Sequence, residues 1–311
     1  MTFYERFRTE IARYADGVHR LGPPARPEAV AGLPAELASF LRSFDGADLF
    51  IDAVTLHDAA GLRRDGRLLV IGATQDGDTL ALDLDRDPPP VLRLEADTGE
   101  TLEEGTSFAR WIEGYVAAEA IVYDREGDFR EGIFGDEGEA LDPRAVIRRE
   151  RKALKIDPAA PAPAWRLARA LVRVGKPDEA ERVLEEVVAH APRFAWAWFD
   201  LGGVRRAAGR LAEAEAAFAR AAEAQPDYEP AGYFAAQAAR AAAERGDEPA
   251  RAAHATRALA LDPDVARAQK EAARASLADG KTAEAREAAA TAAALAPRDV
   301  EVLDILKRAK G

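Results

Sequence analysis

The chain has 311 residues, 43 of them Lys or Arg and 55 Asp or Glu, which gives a formal net charge of −12 at pH 7, and it contains no cysteine. This length favours two domains of ordinary size. The acidic balance argues against nucleic acid or an anionic membrane as the general partner. The lack of cysteine excludes a disulfide framework and Cys-ligated zinc. With no signal peptide and no apolar run near the ~20 residues of a membrane span, we expect a cytoplasmic protein.

The charge is divided unevenly along the chain. Residues 1–141 carry 14 Arg, no Lys and 29 Asp or Glu, a net charge of −15. The rest carries 29 basic residues (43 − 14) and 26 acidic ones (55 − 29), a net charge of +3. We therefore predict an acidic domain at residues 1–138 and a second domain at 142–311, joined by a glycine-rich acidic linker. An acidic domain favours a basic protein partner.

The N-terminal half begins with an amphipathic helix, whose apolar residues recur at spacings of three and four through Phe3, Phe7, Ile11, Tyr14, Val18 and Leu21. A second helix is expected before Asp45-Gly46, and a short helical piece near Leu62. Strands are predicted at residues 68–72, 79–84 and 91–94, with Asp76-Gly77 as a hairpin turn. A last helix follows a cap at Thr106 or Ser107. Helices flanking a small sheet predict an α+β domain.

These segments carry a resemblance in their order and spacing. Leu33-Pro34 with its apolar helix, Phe44-Asp45-Gly46, "LLVIGATQDGDTLALDL", "PVLRLEADTGE" and "SFARWIEGYV" resemble the SUKH superfamily over roughly residues 27–118. Asp45 stands where Asn is usual, and a Trp common before the second strand is absent. The resemblance implies a noncatalytic binding domain of the kind found among bacterial immunity proteins and in a yeast regulator of cell-wall synthesis.

An acidic domain of this kind is suited to neutralising a basic toxin, because complementary charge speeds encounter and fixes orientation. The alternative is that acids in turns and at strand edges serve solubility alone. The candidate partner surface consists of Asp76, Asp78, Asp83, Asp85, Asp87, Asp97, Glu103 and Glu104.

Five prolines end apolar helical runs in the C-terminal half. Pro158, Pro192, Pro226, Pro263 and Pro297 follow one another at intervals of 34, 34, 37 and 34 residues. The pattern of Trp198, Leu201-Gly202, Ala214, Phe218 and Ala221 before Pro226 resembles the tetratricopeptide repeat, a helix-turn-helix unit. It predicts an all-α solenoid with a half repeat at 142–158, full repeats at about 161–194, 195–228, 229–265 and 266–299, and a capping helix at 299–310. The three extra residues in the third repeat predict a lengthened turn before Pro249.

The resemblance implies a concave groove lined by the first helix of each repeat. Carried onto this chain, its positions are Trp165, Arg166, Arg169, Arg173, Trp196, Phe199, Arg206, Tyr233, Gln237, Arg240, Lys270 and Arg274. Arg and aromatic residues dominate interface energetics, so we expect an acidic peptide or an acidic protein surface as partner. The alternative is that these arginines solvate a helix face or pair with acids one turn away, as Arg240 could with Glu244. Arg169 and Asp200 replace the Asn residues of the carboxylate clamp found in some members.

Catalytic and metal-binding signatures are weak. Asp83, Asp85 and Asp87 alternate as in a calcium loop, but Pro88 and Leu94 stand where Gly and Glu are needed. The histidines are scattered singly at His19, His57, His190 and His254. We therefore expect no cofactor, no metal and no enzymatic activity; an enzyme using clustered carboxylates is the remaining alternative.

The sequence thus predicts a noncatalytic protein-protein interaction protein. One version is a SUKH-like immunity protein joined to a tetratricopeptide scaffold. The other is a scaffold or regulatory adaptor for acidic peptides, autoinhibited by its own acidic domain. The identity of the partner and the oligomeric state are left open.

Overall fold

The structure is a computed structural model that describes residues 3–135 and 140–309, and the side chains of residues 3–6 are outside this description. The predicted role of Phe3 and residues 136–139 of the predicted linker therefore lie outside the described residues. The chain divides into two compact units, Met1–Lys176 and Pro177–Gly311, which we call the N-terminal unit and the C-terminal unit. Among the described residues, no helix combines the length and hydropathy needed to cross a bilayer.

The N-terminal unit is an α+β structure. Its helices are α1 (Phe3–Ile11), α2 (Ala35–Leu41), α3 (Phe108–Glu119), α4 (Pro143–Ile156) and α5 (Pro161–Arg173), with a short 3-10 helix at Pro27–Val30. Its strands are β1 (Arg20–Leu21), β2 (Ala47–Leu49), β3 (Val54–Leu56), β4 (Arg63–Asp65), β5 (Leu68–Thr74), β6 (Thr79–Asp83), β7 (Val91–Leu94) and β8 (Thr101–Gly105).

All the strands pair antiparallel in one sheet, in the order β1-β2-β3-β5-β6-β7-β8, and β4 pairs with the first half of β5. Antiparallel neighbours alternate in direction, so the β2–β3, β5–β6 and β7–β8 turns lie at one end of the sheet, and the β6–β7 turn lies at the other. The hydrophobic core lies between the sheet and α1, α2 and α3, and Phe40, Leu41, Leu82 and Ile112 are fully buried in it. The predicted hairpin turn at Asp76-Gly77 and the predicted helix cap at Ser107 are confirmed.

Two N-terminal predictions were wrong. The first helix ends at Ile11 and does not continue through Tyr14 and Val18 to Leu21, because residues 20 and 21 pair with β2. The helical piece expected near Leu62 is a strand, since residues 63–65 pair with β5. In both places pairing with a distant strand overrides a local apolar pattern.

Helices α4 and α5 belong to the N-terminal unit, where α4 packs against α3 and α5 packs against β8. The Asp142 side chain accepts a hydrogen bond from the Arg144 amide at 2.8 Å, so it caps α4 as predicted, and α4 ends before Asp157. The contacts therefore divide the chain at a different point from the predicted domain boundary near residue 140. Whether that boundary separates two folding units stays a prediction.

The C-terminal unit is all-α. Its helices are α6 (Pro177–His190), α7 (Ala195–Ala207), α8 (Leu211–Ala224), α9 (Ala231–Arg245), α10 (Glu248–Leu261), α11 (Val265–Ala278), α12 (Thr282–Leu295) and α13 (Val300–Arg308). Neighbouring helices pair closely because small residues face one another. A Cβ added to Gly202 of α7 would lie 2.7 Å from ring carbons of Phe218 in α8. The helices agree with the predicted tetratricopeptide-like solenoid.

The third repeat differs from its prediction. The turn between α9 and α10 is only Gly246 and Asp247, so it is not lengthened; α9 is longer instead, at 15 residues against 13 for α7. Glycine at 246 adopts a φ of +80° that closes this short turn.

After the third repeat the packing changes. In a regular array the first helix of the next repeat, here α11, would pack on α9 and α10. Instead α12 packs against both, and α11 makes few contacts with either.

Candidate interaction sites

The predicted groove residues of α5 lie in the N-terminal unit, and they have different environments. Trp165 is buried, and the Arg169 guanidinium lies 4.9 Å from the centre of its ring. Arg173 is exposed at the end of the helix. Arg166 points inward, toward the sheet. These four side chains therefore do not line one open surface.

Arg166 is held by carboxylates from two directions. Its two terminal nitrogens each lie 2.8 Å from one oxygen of Glu104 on β8, and its Nε donates to Glu150 of α4 at 3.1 Å. Arg149 links Glu150 to Glu119 of α3, with distances of 2.6 and 2.5 Å. The charges alternate in sign, so a buried network joins the sheet to three helices.

The pKa values reflect this pairing. Burial raises the pKa of Glu104, but attraction to Arg166 and its hydrogen bonds, with help from Arg93 and Arg149, bring it down to about 2. Burial lowers the pKa of Arg166, but the carboxylates of Glu104 and Glu150 outweigh burial and raise it. Both groups therefore stay charged across the physiological range.

A cavity of about 120 Å³ adjoins the network. Its wall combines apolar side chains such as Val54, Leu80 and Trp111 with the charged groups of Glu104 and Arg166. General acid-base catalysis needs a group that exchanges protons near neutral pH. Glu104, with a pKa of about 2, is instead a fixed negative charge.

The predicted aromatic groove residues of the C-terminal unit form one cluster. Trp196 and Phe199 of α7 pack edge to face, with ring centres 5.4 Å apart, and the Phe199 ring lies 5.6 Å from that of Tyr233 on α9. The Trp196 indole nitrogen donates to the Tyr228 hydroxyl at 2.8 Å. Each of the three predicted aromatic residues is partly exposed, so the cluster has both a packed side and an accessible side.

Arg206, Gln237 and Arg240 meet residues of α12. The Arg240 guanidinium lies 2.6 Å from Glu287, and Arg206 reaches the same carboxylate at 2.8 Å. Gln237 donates to Thr291 at 3.1 Å. Glu287 therefore lies between two of the arginines expected to bind an acidic partner, while half of its own side chain is exposed.

Arg206 and Arg240 form an arginine cluster around Glu287, and one of its hydrogen-bond donors has no acceptor in the part of the chain that the structure describes. The Arg206 Nη1 atom is buried, lacks a hydrogen-bond acceptor among the described residues, and lies 3.8 Å from Glu244 Oε1. Arg240 does pair with Glu244, at 2.8 Å, as the alternative interpretation of that arginine expected. Hydrogen bonds from Arg240 and Arg206 lower the pKa of Glu287 to about 2 against the opposing effect of burial, so this carboxylate is ionised.

Lys270 and Arg274 lie on α11 and are not part of this cluster. The Lys270 amine is 3.0 Å from Asp299, and Arg274 pairs with Glu301 at the start of α13. The structure separates them from Arg206 and Arg240 because α12 and not α11 packs on α9.

The predicted acidic surface is divided between the interior and two ends of the sheet. The Asp78 carboxylate is buried and accepts from the Ala96 amide at 3.0 Å, and Glu103 pairs with Arg86 at 2.5 Å. Asp83 is also buried, where its carboxylate accepts from the Asp85 amide. The exposed members are Asp76 and Asp97 in turns at one end, and Asp85 and Asp87 at the other.

Three acidic residues that organise these sites were not singled out from the sequence, namely Glu119, Glu150 and Glu287. The sequence does indicate that Glu150 is buried. It lies three residues after Ile147 and four before Leu154, on the apolar stripe of α4, and a charged residue on such a stripe implies a buried partner of opposite charge. No sequence pattern indicates the role of Glu287, because its position depends on α12 packing beside α9 in place of α11.

Comparisons with known proteins agree with the repeats. Residues 166–229 match the tetratricopeptide repeat family model. Similar solved structures include MamA, at 21% identity over 54% of this chain and 87% of that chain, with a TM-score of 0.37. A thermophilic tetratricopeptide repeat protein of Thermus thermophilus is 25% identical over 54% of this chain and 90% of that chain, with a TM-score of 0.35.

A third similar structure is pilF of Pseudomonas aeruginosa, 20% identical over 54% of this chain and 75% of that chain, with a TM-score of 0.38. No curated protein matches the chain. The family match identifies tetratricopeptide repeats within the helical part of the chain, and repeats of this class form surfaces that bind protein partners.

Proposed function

We propose that the protein is a noncatalytic cytoplasmic adaptor whose C-terminal unit binds an acidic segment of a partner protein. The binding surface consists of Arg206 with the partly exposed rings of Trp196, Phe199 and Tyr233, and Arg240, which is buried and paired with Glu287, supports it from below; we call it the arginine-aromatic site. Arg supplies several directed donors for carboxylates, and aromatic rings supply contact area at little entropic cost.

The observation that carries this proposal is the environment of Arg206. Its buried Nη1 atom lacks an acceptor among the described residues, and a buried donor without an acceptor is costly. The neighbouring Glu287 carboxylate, which pairs with both arginines, supports a preference for an anion at this position. A partner carboxylate that displaces Glu287 would pair with the Arg206 guanidinium and could bring an acceptor to its unsatisfied donor.

The test uses a fluorescein-labelled peptide of alternating Glu and Ala with one central Trp, and its Lys-Ala counterpart. Fluorescence anisotropy with the full chain should show binding of the Glu peptide only. Arg206→Gln should weaken that binding about tenfold, and Glu287→Gln should strengthen it severalfold because the internal competitor loses its charge.

Arg220→Gln is the matched control, because Arg220 is an exposed arginine of α8 that pairs with Glu223 three residues along the same helix. Thermal melts of each variant check that the fold is retained. Equal affinity of wild type, Arg206→Gln and Glu287→Gln for the Glu peptide would overturn the proposal.

A second function is favoured by the charge of residues 1–141, which is −15. In this version the SUKH-like region binds a basic protein, as an immunity protein would bind a basic toxin. The exposed Asp76, Asp85, Asp87 and Asp97 support it. Reversing the exposed aspartates to Lys should abolish protection against a cognate toxin, and undiminished protection would contradict it.

The autoinhibited version rests on another contact. Glu104, from the predicted acidic surface, occupies Arg166 of the predicted groove within the N-terminal unit. By analogy, if exposed acids of the same half restrain partner binding at the arginine-aromatic site, Asp76→Asn with Asp97→Asn should increase affinity for the Glu peptide at low salt and have less effect at high salt. No change at either salt concentration would argue against autoinhibition.

A further inference from the structure

The turn between β2 and β3 has an unusual backbone. Phe50, Ile51 and Asp52 have φ values of 53°, 55° and 66°, so three successive residues other than glycine are left-handed. L-residues avoid this region because Cβ approaches the carbonyl oxygen, and a β-branched residue such as Ile is especially disfavoured. Glycine or asparagine would adopt the same turn at lower cost. Ile51 therefore occupies a backbone conformation that disfavours isoleucine.

Core packing does not account for Ile51. The neighbouring Phe50 ring is buried and anchors the turn, whereas Ile51 is 54% exposed. The turn is held by its backbone, since the Phe50 amide donates to Nδ1 of His19 at 3.2 Å and the Ile51 amide donates to the Val18 carbonyl at 3.0 Å. The strained turn thus presents an aliphatic side chain to solvent.

A second exposed apolar side chain lies nearby. The rings of Phe50 and Tyr123 stack with centres 5.2 Å apart, and those of Tyr123 and Phe129 stack at 5.1 Å. Phe129 ends this stack at the surface and is 55% exposed. Ile51 borders the same segment, because a Cβ added to Gly127 would lie 2.8 Å from its Cδ1 atom.

The border of this surface is acidic. Residues 124–131 contain four acids, Asp124, Glu126, Asp128 and Glu131, against two arginines. The turns that carry Asp76 and Asp97 lie at the same end of the sheet as Ile51. Burial raises the pKa of Tyr123, and the charges of Glu119 and Asp76 raise it further against the opposing effect of Arg149. Asp52 is already paired with Arg20, at 2.5 Å.

We infer that Ile51, Tyr123 and Phe129, with their border of exposed acids, form a docking surface for a basic segment of another protein that carries aliphatic side chains between its Lys or Arg residues. We call this the Ile51–Phe129 surface. The exposed apolar pair supplies the contact area, and the acids select a basic partner. Backbone strain of this kind is concentrated at functional positions, and here it places Ile51 at the surface. The inference rests on the proposal that the N-terminal half binds a basic partner.

The experiment uses the full chain and a fluorescein-labelled peptide of alternating Lys and Leu. Lys-Ser and Glu-Leu peptides are the controls for the apolar and the charged contribution. Anisotropy should show binding of the Lys-Leu peptide alone. Ile51→Asn and Phe129→Ala should each weaken it about tenfold, and the matched control Val172→Ala, which shortens another exposed apolar side chain of the same unit, should not.

The contribution of acidic side chains to binding is tested with charge reversals of two exposed turn aspartates that lie at opposite ends of the sheet. Asp76→Lys should weaken binding of the Lys-Leu peptide severalfold, whereas Asp85→Lys should leave it unchanged. Ile51→Asn should also raise the Tm, because asparagine tolerates the left-handed region better than isoleucine. A residue retained only for stability would give a lower Tm instead.

The outcomes separate this surface from the broader proposal. Suppose that the Lys-Leu peptide binds, but that Asp76→Lys and Asp85→Lys weaken its binding equally or Ile51→Asn leaves its binding unchanged. The proposed location of the docking surface is then wrong, while a basic partner remains supported. If the Lys-Leu peptide binds no better than the Lys-Ser and Glu-Leu peptides, both the surface and the basic-partner proposal are overturned.

Discussion

Glu104 and Arg166 form a two-pronged ion pair in which each terminal nitrogen of the guanidinium lies 2.8 Å from one carboxylate oxygen. The sequence assigned these residues to two different partner surfaces, one acidic and one basic. The structure joins them to each other, with the side chain of Glu104 only 10% exposed. This pair therefore attaches α5 to the sheet and belongs to the interior of the N-terminal unit.

Breaking this pair should destabilise the N-terminal unit. Arg166→Met leaves the buried Glu104 carboxylate without its main partner, and losing one member of a buried ion pair typically costs about 3–5 kcal/mol. Urea denaturation followed by far-UV circular dichroism measures the change. The double variant Glu104→Gln with Arg166→Met should regain part of the loss, because the uncompensated charge is gone. Additive losses in the double variant would mean that the two side chains are not coupled.

Two adjacent glycines of α7 provide a matched test of helix packing. Gly202→Ala should destabilise the C-terminal unit by about 1–3 kcal/mol, because the new Cβ would lie 2.7 Å from the Phe218 ring. Gly203→Ala meets nothing within 4 Å and should stabilise α7 by about 0.5–1 kcal/mol through helix propensity. The comparison is made by thermal melts of the two single variants. Similar Tm shifts in both would contradict the close approach of α7 and α8.

His19 should make stability depend on pH. Burial lowers its pKa to about 4, while an unfolded histidine titrates near 6.5. The unfolded state therefore binds more protons between these values. The full shift corresponds to about 3.4 kcal/mol, and partial exposure of His19 reduces this to about 2 kcal/mol of stability, which is complete above pH 6.5 and lost as the pH falls toward 4. His19→Asn places its Oδ1 near the position of Nδ1, so it can still accept from the Phe50 amide but cannot titrate. Its unfolding free energy should be flatter than that of wild type between pH 6.5 and 4.5; parallel curves would show that His19 is not responsible.

The boundary of the N-terminal folding unit can be tested with two fragments. Residues 1–176 retain α4 and α5, whereas residues 1–138 lose the Arg149 and Arg166 side chains that neutralise Glu119 and Glu104. We expect a cooperative thermal transition for the longer fragment and a broad or absent one for the shorter. Equal, cooperative melting of both would support the boundary predicted from the sequence near residue 140.

The helical repeats were predictable because their signal is local. Proline at the end of each unit and small residues such as Gly202 and Ala214 determine where helices end and how closely they pair. The short strands β1, β2, β3, β4 and β8 were missed, since each is defined by its pairing with another segment of the chain. The same limit applies to the sites: arginines could be placed on helices, but the acid facing each one depends on tertiary packing.

The replacement of α11 by α12 beside α9 affects how this array could have grown. Repeat arrays lengthen by duplication when every unit presents the same face to the next one. Here the face of α9 and α10 that would receive a new repeat receives the second helix of a hairpin instead. An additional repeat of about 34 residues could be accommodated between α8 and α9, where the regular packing holds, but not between α10 and α11. The α11–α12 hairpin therefore interrupts the regular repeat packing after α10.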